Sequence, residues 1–235
     1  YQNQYDLVVS FHTFRKYHFT WTYRFLPEFE QIAAGKKQWP VWGKQRDAIA
    51  IFVSRCGKGG RDQVIRELGK HFTVHSFGKC AKTHKVEVEH QDCSVLGGGR
   101  YPQKLCVFGK YKFVLALDNT RETDYVTEKV YHGLMSGAVP LYDGAPNIGD
   151  FLPSKDAVVH LADFKDEAKD GALNYQRLAE YLKGVDADSK HLEWRKTRDV
   201  EQWGARFLKN MRHEEPTCSI CRDVAEKRCN NKAKK

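Results

Sequence analysis

The chain has 235 residues and a mass of 27.2 kDa, and its 39 Lys and Arg against 30 Asp and Glu give a net charge of +9 and a pI near 9.1. Hydrophobic residues at 41% and charged residues at 29% exclude the disordered, collagen-like and coiled-coil classes, and the length suits one large domain with attachments. No run approaches the roughly 20 apolar residues of a membrane helix, and the start, Tyr1-Gln2-Asn3-Gln4-Tyr5, is no signal peptide and reads as a cut end. The basic excess suits an anionic partner such as a nucleotide phosphate, a nucleic acid or a membrane surface. Its one dense run, residues 227–235, reads as a solvated tail.

In chain order, residues 5–11 (YDLVVSF) are predicted as a strand, and 15–29 hold six aromatics without clean periodicity, so 1–46 is read as an edge piece or linker. From Asp47 the pattern sharpens, because Ala48-Ile49-Ala50-Ile51-Phe52-Val53 is a continuous apolar run of the kind that fills a parallel strand covered on both faces. A turn, 55–61 (RCGKGGR), leads to Val64, Ile65, Leu68 and Phe72 at helical spacing, and 72–77 (FTVHSF) is predicted as a second strand. Residues 79–100, charged and with three consecutive glycines, are read as a loop. Residues 111–117 (YKFVLAL) then form a strand, Val126, Val130 and Leu134 mark a helix over 126–135, and 138–142 (AVPLY) is a further short strand. Two successive βαβ units predict an α/β, doubly wound parallel sheet with right-handed crossovers over 47–185. Beyond Asp163, segments 164–183, 187–198 and 200–211 are predicted helices with Leu, Tyr, Trp and Phe inward, the last two of them with the CxxC tail forming a unit at 186–235.

Ligands of such a sheet bind beyond the carboxyl ends of its strands, and two turns qualify. The first, Gly57-Lys58-Gly59-Gly60-Arg61, offers backbone amides, a helix start and two cations for an anion, but it lacks the GxGxxG fingerprint and the GK[ST] of a P-loop. The second, 117–129 (LDNTRETDYVTEK), crowds donors and acceptors at the mouth of a buried strand. Thr123, Asp124 and Thr127 suit helix capping and Glu128 with Lys129 suits an exposed pair, yet Lys129 in a first turn opposes the helix dipole unless an anion lies nearby. Seven cysteines, at 56, 80, 93, 106, 218, 221 and 229, leave one thiol over or one partner elsewhere. Cys218-Ser219-Ile220-Cys221 lies in a polar tail and not at a strand-to-helix turn, against redox catalysis; with His213 and Cys229 its spacing is irregular for zinc, and a structural disulfide in an oxidising compartment is preferred.

Tyr111-Lys112-Phe113, Leu117-Asp118-Asn119-Thr120, Asp124-Tyr125-Val126-Thr127-Glu128-Lys129, Gly137-Ala138-Val139-Pro140 and Gly144-Ala145-Pro146-Asn147-Ile148 stand in the order and spacing of a known signature. Together they resemble the donor-binding part of the α1,3-fucosyltransferases, family 10 of the glycosyltransferases. Ser54-Arg55-Cys56-Gly57 with Arg61, and Phe77-Gly78-Lys79-Cys80, are similar to its plant-type core members, and the likeness runs from about Ile49 to Phe164. Asp118, Thr120 and Tyr131 depart conservatively from the family's usual Glu, Ser and Trp or Phe.

The resemblance implies the Rossmann-like C-terminal lobe of a two-lobed GT-B enzyme that holds GDP-fucose, with no cofactor or metal. By motif position Arg61 and Lys129 meet the diphosphate and Glu128 the ribose or fucose, these three being the catalytic candidates here. Asn119, Thr120, Tyr125 and Thr127 are assigned to the nucleotide and its sugar. It also implies fucose transfer to an acceptor glycan or glycoprotein in α1,3 linkage with inversion, in the Golgi lumen. The anchor and the carboxylate base are expected outside this chain, which is then an incomplete catalytic unit. The family pattern has cysteines at 56 and 80, which follow successive strands, and the two are expected to pair. Cys218 and Cys221 are expected to bond to each other or to cysteines elsewhere. A silent sugar-nucleotide or glycan-binding relative is the alternative, and a nucleic-acid-binding protein with a C-terminal zinc site is a weaker one.

Overall fold

The computed structural model describes residues 9–10, 12, 17–18, 21–54, 56–57, 60–97, 99–212, 218–223 and 225–226. Of the strand expected over 5–11, Val9–Ser10 pairs in parallel with Tyr17–His18. Lys58, Gly59, His213, Cys229 and the basic tail lie outside the described residues.

In chain order the elements are helix α1 (Leu26–Ala33), strand β1 (Arg46–Ile51), helix α2 (Arg61–Leu68), strand β2 (Val74–Ser76), the one-turn helices α3 (Val86–Glu89) and α4 (Gln91–Ser94), helix α5 (Arg100–Gly109), strand β3 (Tyr111–Leu117), helix α6 (Glu128–Ser136), strand β4 (Val139–Asp143), strand β5 (Val159–His160), and helices α7 (Tyr175–Lys183), α8 (Lys190–Glu193) and α9 (Ala205–Met211). The sheet is fully parallel with order β2-β1-β3-β4-β5. Ile49 pairs with both Val74 and Phe113, and Leu141 with both Leu115 and Val159, which fixes the register across all five strands. One face buries Ile49, Phe113, Leu115 and Leu141 against Ile65 and Leu68 of α2 and Leu178 and Leu182 of α7. The other buries Ala50 and Val114 against Val107 and Phe108 of α5, and Ala116 and Tyr142 against Tyr131 and Leu134 of α6. Helices on both faces explain the unbroken apolar strands, and the fold is Rossmann-like α/β.

Three expectations change. The stretch read as a linker holds α1, and Phe25 just before it recurs with its Phe29 and Ile32 at helical spacing, all three buried; Phe29 lies 4.9 Å from Phe207, 5.6 Å from Trp203 and 6.2 Å from Trp194, ring to ring. The stretch 79–100 read as a loop carries α3 and α4, and the unread decade after it is α5. The helix expected over 164–183 begins only at Tyr175, because Lys165–Asp166 and Ala172–Leu173 pair first as an antiparallel ribbon.

Two disulfides tie the polar end of this frame. Cys56–Cys80 joins the loops after β1 and β2, as expected, and Cys93–Cys106 ties α4 to α5. Cys218 and Cys221 are both exposed and not joined to each other, since they share one short helical stretch in which their side chains point to solvent.

Candidate functional site

In the order β2-β1-β3-β4-β5 the connections leave β1 and β3 in opposite directions, so a crevice opens between the carboxyl ends of those two strands. The loop after β1 leads to α2, whose first residue is Arg61; the loop after β3 begins with Asp118 and Asn119. Across the crevice the Arg61 Nη1 donates to Asn119 Oδ1 at 3.0 Å, and Arg61 is only 5% exposed. A cavity of about 1160 Å³ opens here, lined by Arg61, Asn119, Tyr125, Thr127, Glu128 and Lys129, with Phe52, Phe77, Tyr101, Lys104 and His132 completing its walls.

The glycine turn does less than its composition suggests. The Gly57 amide donates to Asp62 Oδ2 at 3.0 Å, so this backbone donor faces the chain's own carboxylate, and among the turn's described residues Arg61 is the one that lines the cavity. Gly78 is required for another reason: a Cβ there would stand 2.0 Å from the Val53 carbonyl oxygen, where the loops after β1 and β2 cross.

The second turn is ordered by two interlocking sets of hydrogen bonds. Asp124 adopts φ +67° and is held there by Asn147, whose Oδ1 accepts from the Asp124 amide at 2.9 Å and whose Nδ2 donates to its carboxylate at 2.8 Å. The second set centres on Asp118. Its buried carboxylate accepts from Tyr142 Oη at 2.9 Å and from the Thr127 hydroxyl, while Lys129 Nζ donates to Thr127 Oγ1 at 2.9 Å and lies 3.6 Å from Asp118 Oδ1. A Cβ at Gly144 would come within 2.3 Å of Tyr142 Oη and 2.7 Å of Asp118 Oδ2, so only glycine leaves room for this arrangement. Burial raises the Asp118 carboxyl above the usual range, opposed by the Thr127 hydrogen bond and the Lys129 charge. Thr127 occupies the cap position of α6 but spends its hydroxyl on Asp118 and makes no capping bond. Capping is therefore not what this polar turn is for.

Of the residues singled out by sequence, Arg61, Asn119, Tyr125, Thr127, Glu128 and Lys129 converge on the cavity. Thr120 does not: it is exposed and off the lining, because the chain turns outward there to place Arg121 in a bidentate pair with Asp143 at 2.5 and 2.7 Å. Sequence reasoning missed the opposite wall, built by Tyr101, Gln103 and Lys104 of α5, and His132 of α6. Arg100-Tyr101-Pro102 after three glycines was the available signal, since proline is favoured in a first helical turn. Burial, with Lys104 and Lys129 nearby, drives His132 down to about 3, so the ring is neutral, and its buried Nδ1 has no hydrogen-bond partner among the described residues. Among the described residues the one cluster with metal-ligand types, Asp92, Cys93 and Cys106, contains the two cysteines of a disulfide and no open thiolate.

The family described as glycosyltransferase family 10 (fucosyltransferase) C-term matches residues 42–235. GDP-fucose protein O-fucosyltransferase 3 of Gallus gallus is 28% identical over 234 residues, 90% of this chain and 47% of that protein. Alpha-(1,3)-fucosyltransferase B of Drosophila melanogaster is 29% identical over 195 residues, 76% of this chain and 42% of that protein, and the alpha-(1,4)-fucosyltransferase of Arabidopsis thaliana is 28% identical over 195 residues, 78% and 46%. A crystal structure of an alpha1,3-fucosyltransferase with GDP superposes with a TM-score of 0.47 at 18% identity, covering 85% of this chain and 56% of that one. The chain spans less than half the length of these three curated relatives. With the family match extending over 42–235, and the signature turns meeting at the sheet's switch point, the chain belongs to glycosyltransferase family 10, the fucosyltransferases, as part of its C-terminal region.

Proposed function

We propose that this chain is the donor-binding part of a fucosyltransferase that takes fucose from GDP-fucose and passes it, with inversion, to an acceptor hydroxyl in α1,3 linkage. The observation that carries this reading is the convergence of Arg61, Asn119, Glu128 and Lys129 from two separate turns on one cavity at the switch point. Arg61 and Lys129 are suited to the diphosphate and Glu128 to a sugar hydroxyl, with Asn119, Tyr125 and Thr127 around the nucleotide. In the reaction the acceptor oxygen attacks C1 of fucose while its proton passes to a carboxylate base. The bond from C1 to the β-phosphate oxygen breaks, and GDP departs with the electron pair, its added charge met by the cations. The base and the acceptor surface are assigned to a second lobe, completing a GT-B enzyme. Two disulfides agree with a lumenal site in the Golgi.

The relatives bear names with different acceptors and linkages, so the test reads both halves of the proposal. Calorimetric titration of the chain should show binding of GDP and GDP-fucose; no binding overturns the donor reading. A full-length version should transfer fucose, and NMR of its product should show an α1,3 bond to a glycan. Fucose on a protein Ser or Thr hydroxyl would replace that linkage. Robust turnover by this chain alone would place the base inside it, with His12 and Glu28 as candidates and Asp6, outside the described residues, as a third.

A further inference from the structure

The two turns carry too little positive charge for a diphosphate. Lys129 stands beside Asp118 and Glu128 while Arg61 meets Asn119 across the crevice, so the four charged side chains of the two turns sum to zero. A sugar-nucleotide diphosphate brings about two negative charges, and departing GDP about one more. Lys79, Lys82 and Arg100 also line the cavity, but all three are exposed at its rim, where water and salt screen them.

Lys104 differs from them. It projects from α5 into the same cavity and is partly buried, on the wall opposite the turns that carry Arg61 and Lys129. Among the described residues no carboxylate lies within ion-pair distance of its ammonium, which rests 5.2 Å from the Phe108 ring. Its helix is pinned by the Cys93–Cys106 disulfide two positions on, so the amine is carried by a braced element. Resting on the donor reading above, we infer that Lys104 is a third diphosphate-binding cation, closing over the nucleotide from α5.

The groups around it decide its protonation. Glu128, Lys129 and His132 face it from α6, and Tyr101 shares its own helix face. Burial brings the amine down to about 8, with Glu128 opposing the shift and Lys129 adding to it. In the empty cavity at pH 8, Lys104 is therefore about half protonated. An arriving diphosphate favours the charged form, so binding should take up a proton. The affinity conferred by Lys104 is fully present below pH 8 and falls as pH rises above it.

The test is calorimetric titration of the whole chain with GDP between pH 8 and 9, in buffers of different ionisation enthalpy. The terminal phosphate of GDP titrates near 6 and is already ionised, and the guanine base, which begins to lose its own proton toward the top of this range, is the same for every variant, so the difference in uptake between wild type and variant belongs to Lys104. The wild-type chain should take up about half a proton per GDP at pH 8. Lys104→Met should bind GDP about tenfold or more weakly and take up none. Lys104→Arg, always charged, should retain most of the affinity while losing the proton uptake. Wild-type affinity and uptake in Lys104→Met would overturn the inference and leave the donor reading standing. A wild-type chain that fails to bind GDP removes both.

Discussion

Two turns face each other across the switch-point cavity, and they hold their cations by different means. The one after β1 is cross-linked: Cys56 is bonded to Cys80 in the loop after β2, and Arg61 follows five residues later. The one after β3 has no covalent tie; Lys129 is placed by a buried carboxylate acting through the Thr127 hydroxyl, with Tyr142 on the far side. A cross-link limits the open chain and is indifferent to pH, whereas a carboxylate network depends on its own proton. The first turn should thus fail with reduction and the second with titration.

The largest expected effect is on the covalent side. Removing the disulfide with Cys56→Ser and Cys80→Ser, whose cysteines lie 24 residues apart, should lower stability by about 3.5 kcal/mol by loop-closure entropy, seen as a drop in urea midpoint with a steeper slope, because the open chain exposes more surface when unfolded. A midpoint equal to wild type would mean that the turn is held by something else. Next come the cations themselves: Arg61→Ala and Lys129→Ala should each weaken GDP binding about 10- to 100-fold, the worth of a charge-assisted contact. Lys129→Arg should restore little, because a planar fork does not fit a point-charge position. Equal GDP affinity in Lys129→Ala would make it an ordinary half-exposed helix residue.

Asp118→Asn sharpens the contrast through pH. Because the Asp118 carboxyl is raised in the folded chain, the native state holds a proton that the unfolded state has lost once pH passes the ordinary aspartate value. Stability therefore declines as pH climbs from that value to the raised one and is flat above it. The asparagine variant should lack this decline, so the difference in unfolding free energy between the two proteins should change with pH across the window. A pH-independent difference would mean that Asp118 titrates normally. The smallest effect is expected at Thr120, where alanine should change stability by less than about 0.5 kcal/mol and leave GDP affinity untouched; a weakened affinity would restore the nucleotide role its motif position implies.

What the sequence made legible follows from which physical signal dominates locally. Strands β1, β3 and β4 were readable because the part of a strand covered on both faces is apolar without alternation, as in residues 48–51, 113–117 and 139–142. β5 was not, being two residues long, nor was β2 at its true length, since only Val74–Ser76 of the expected 72–77 pair. Helix α5 was hidden behind three glycines, and α1 among aromatics whose spacing was masked by tyrosines and tryptophans nearby. The cavity's Arg61, Asn119, Glu128 and Lys129 were legible because they cluster in two short turns that follow apolar strands. Its far wall was not, because Tyr101, Lys104 and His132 come together only through packing of α5 against α6.

The burial of α1 also bears on where this molecule can be cut. The family match begins at residue 42, but Phe25, Phe29 and Ile32 plug a recess formed by Tyr131, Trp203, Phe207 and their neighbours, and the Thr22 hydroxyl meets Tyr131 Oη at 2.7 Å. A truncation at residue 42 would strip that plug and bare several large aromatic faces at once, an open invitation to self-association. An expression boundary drawn from the family alone would thus yield an insoluble product, and a serviceable one has to start upstream of Trp21.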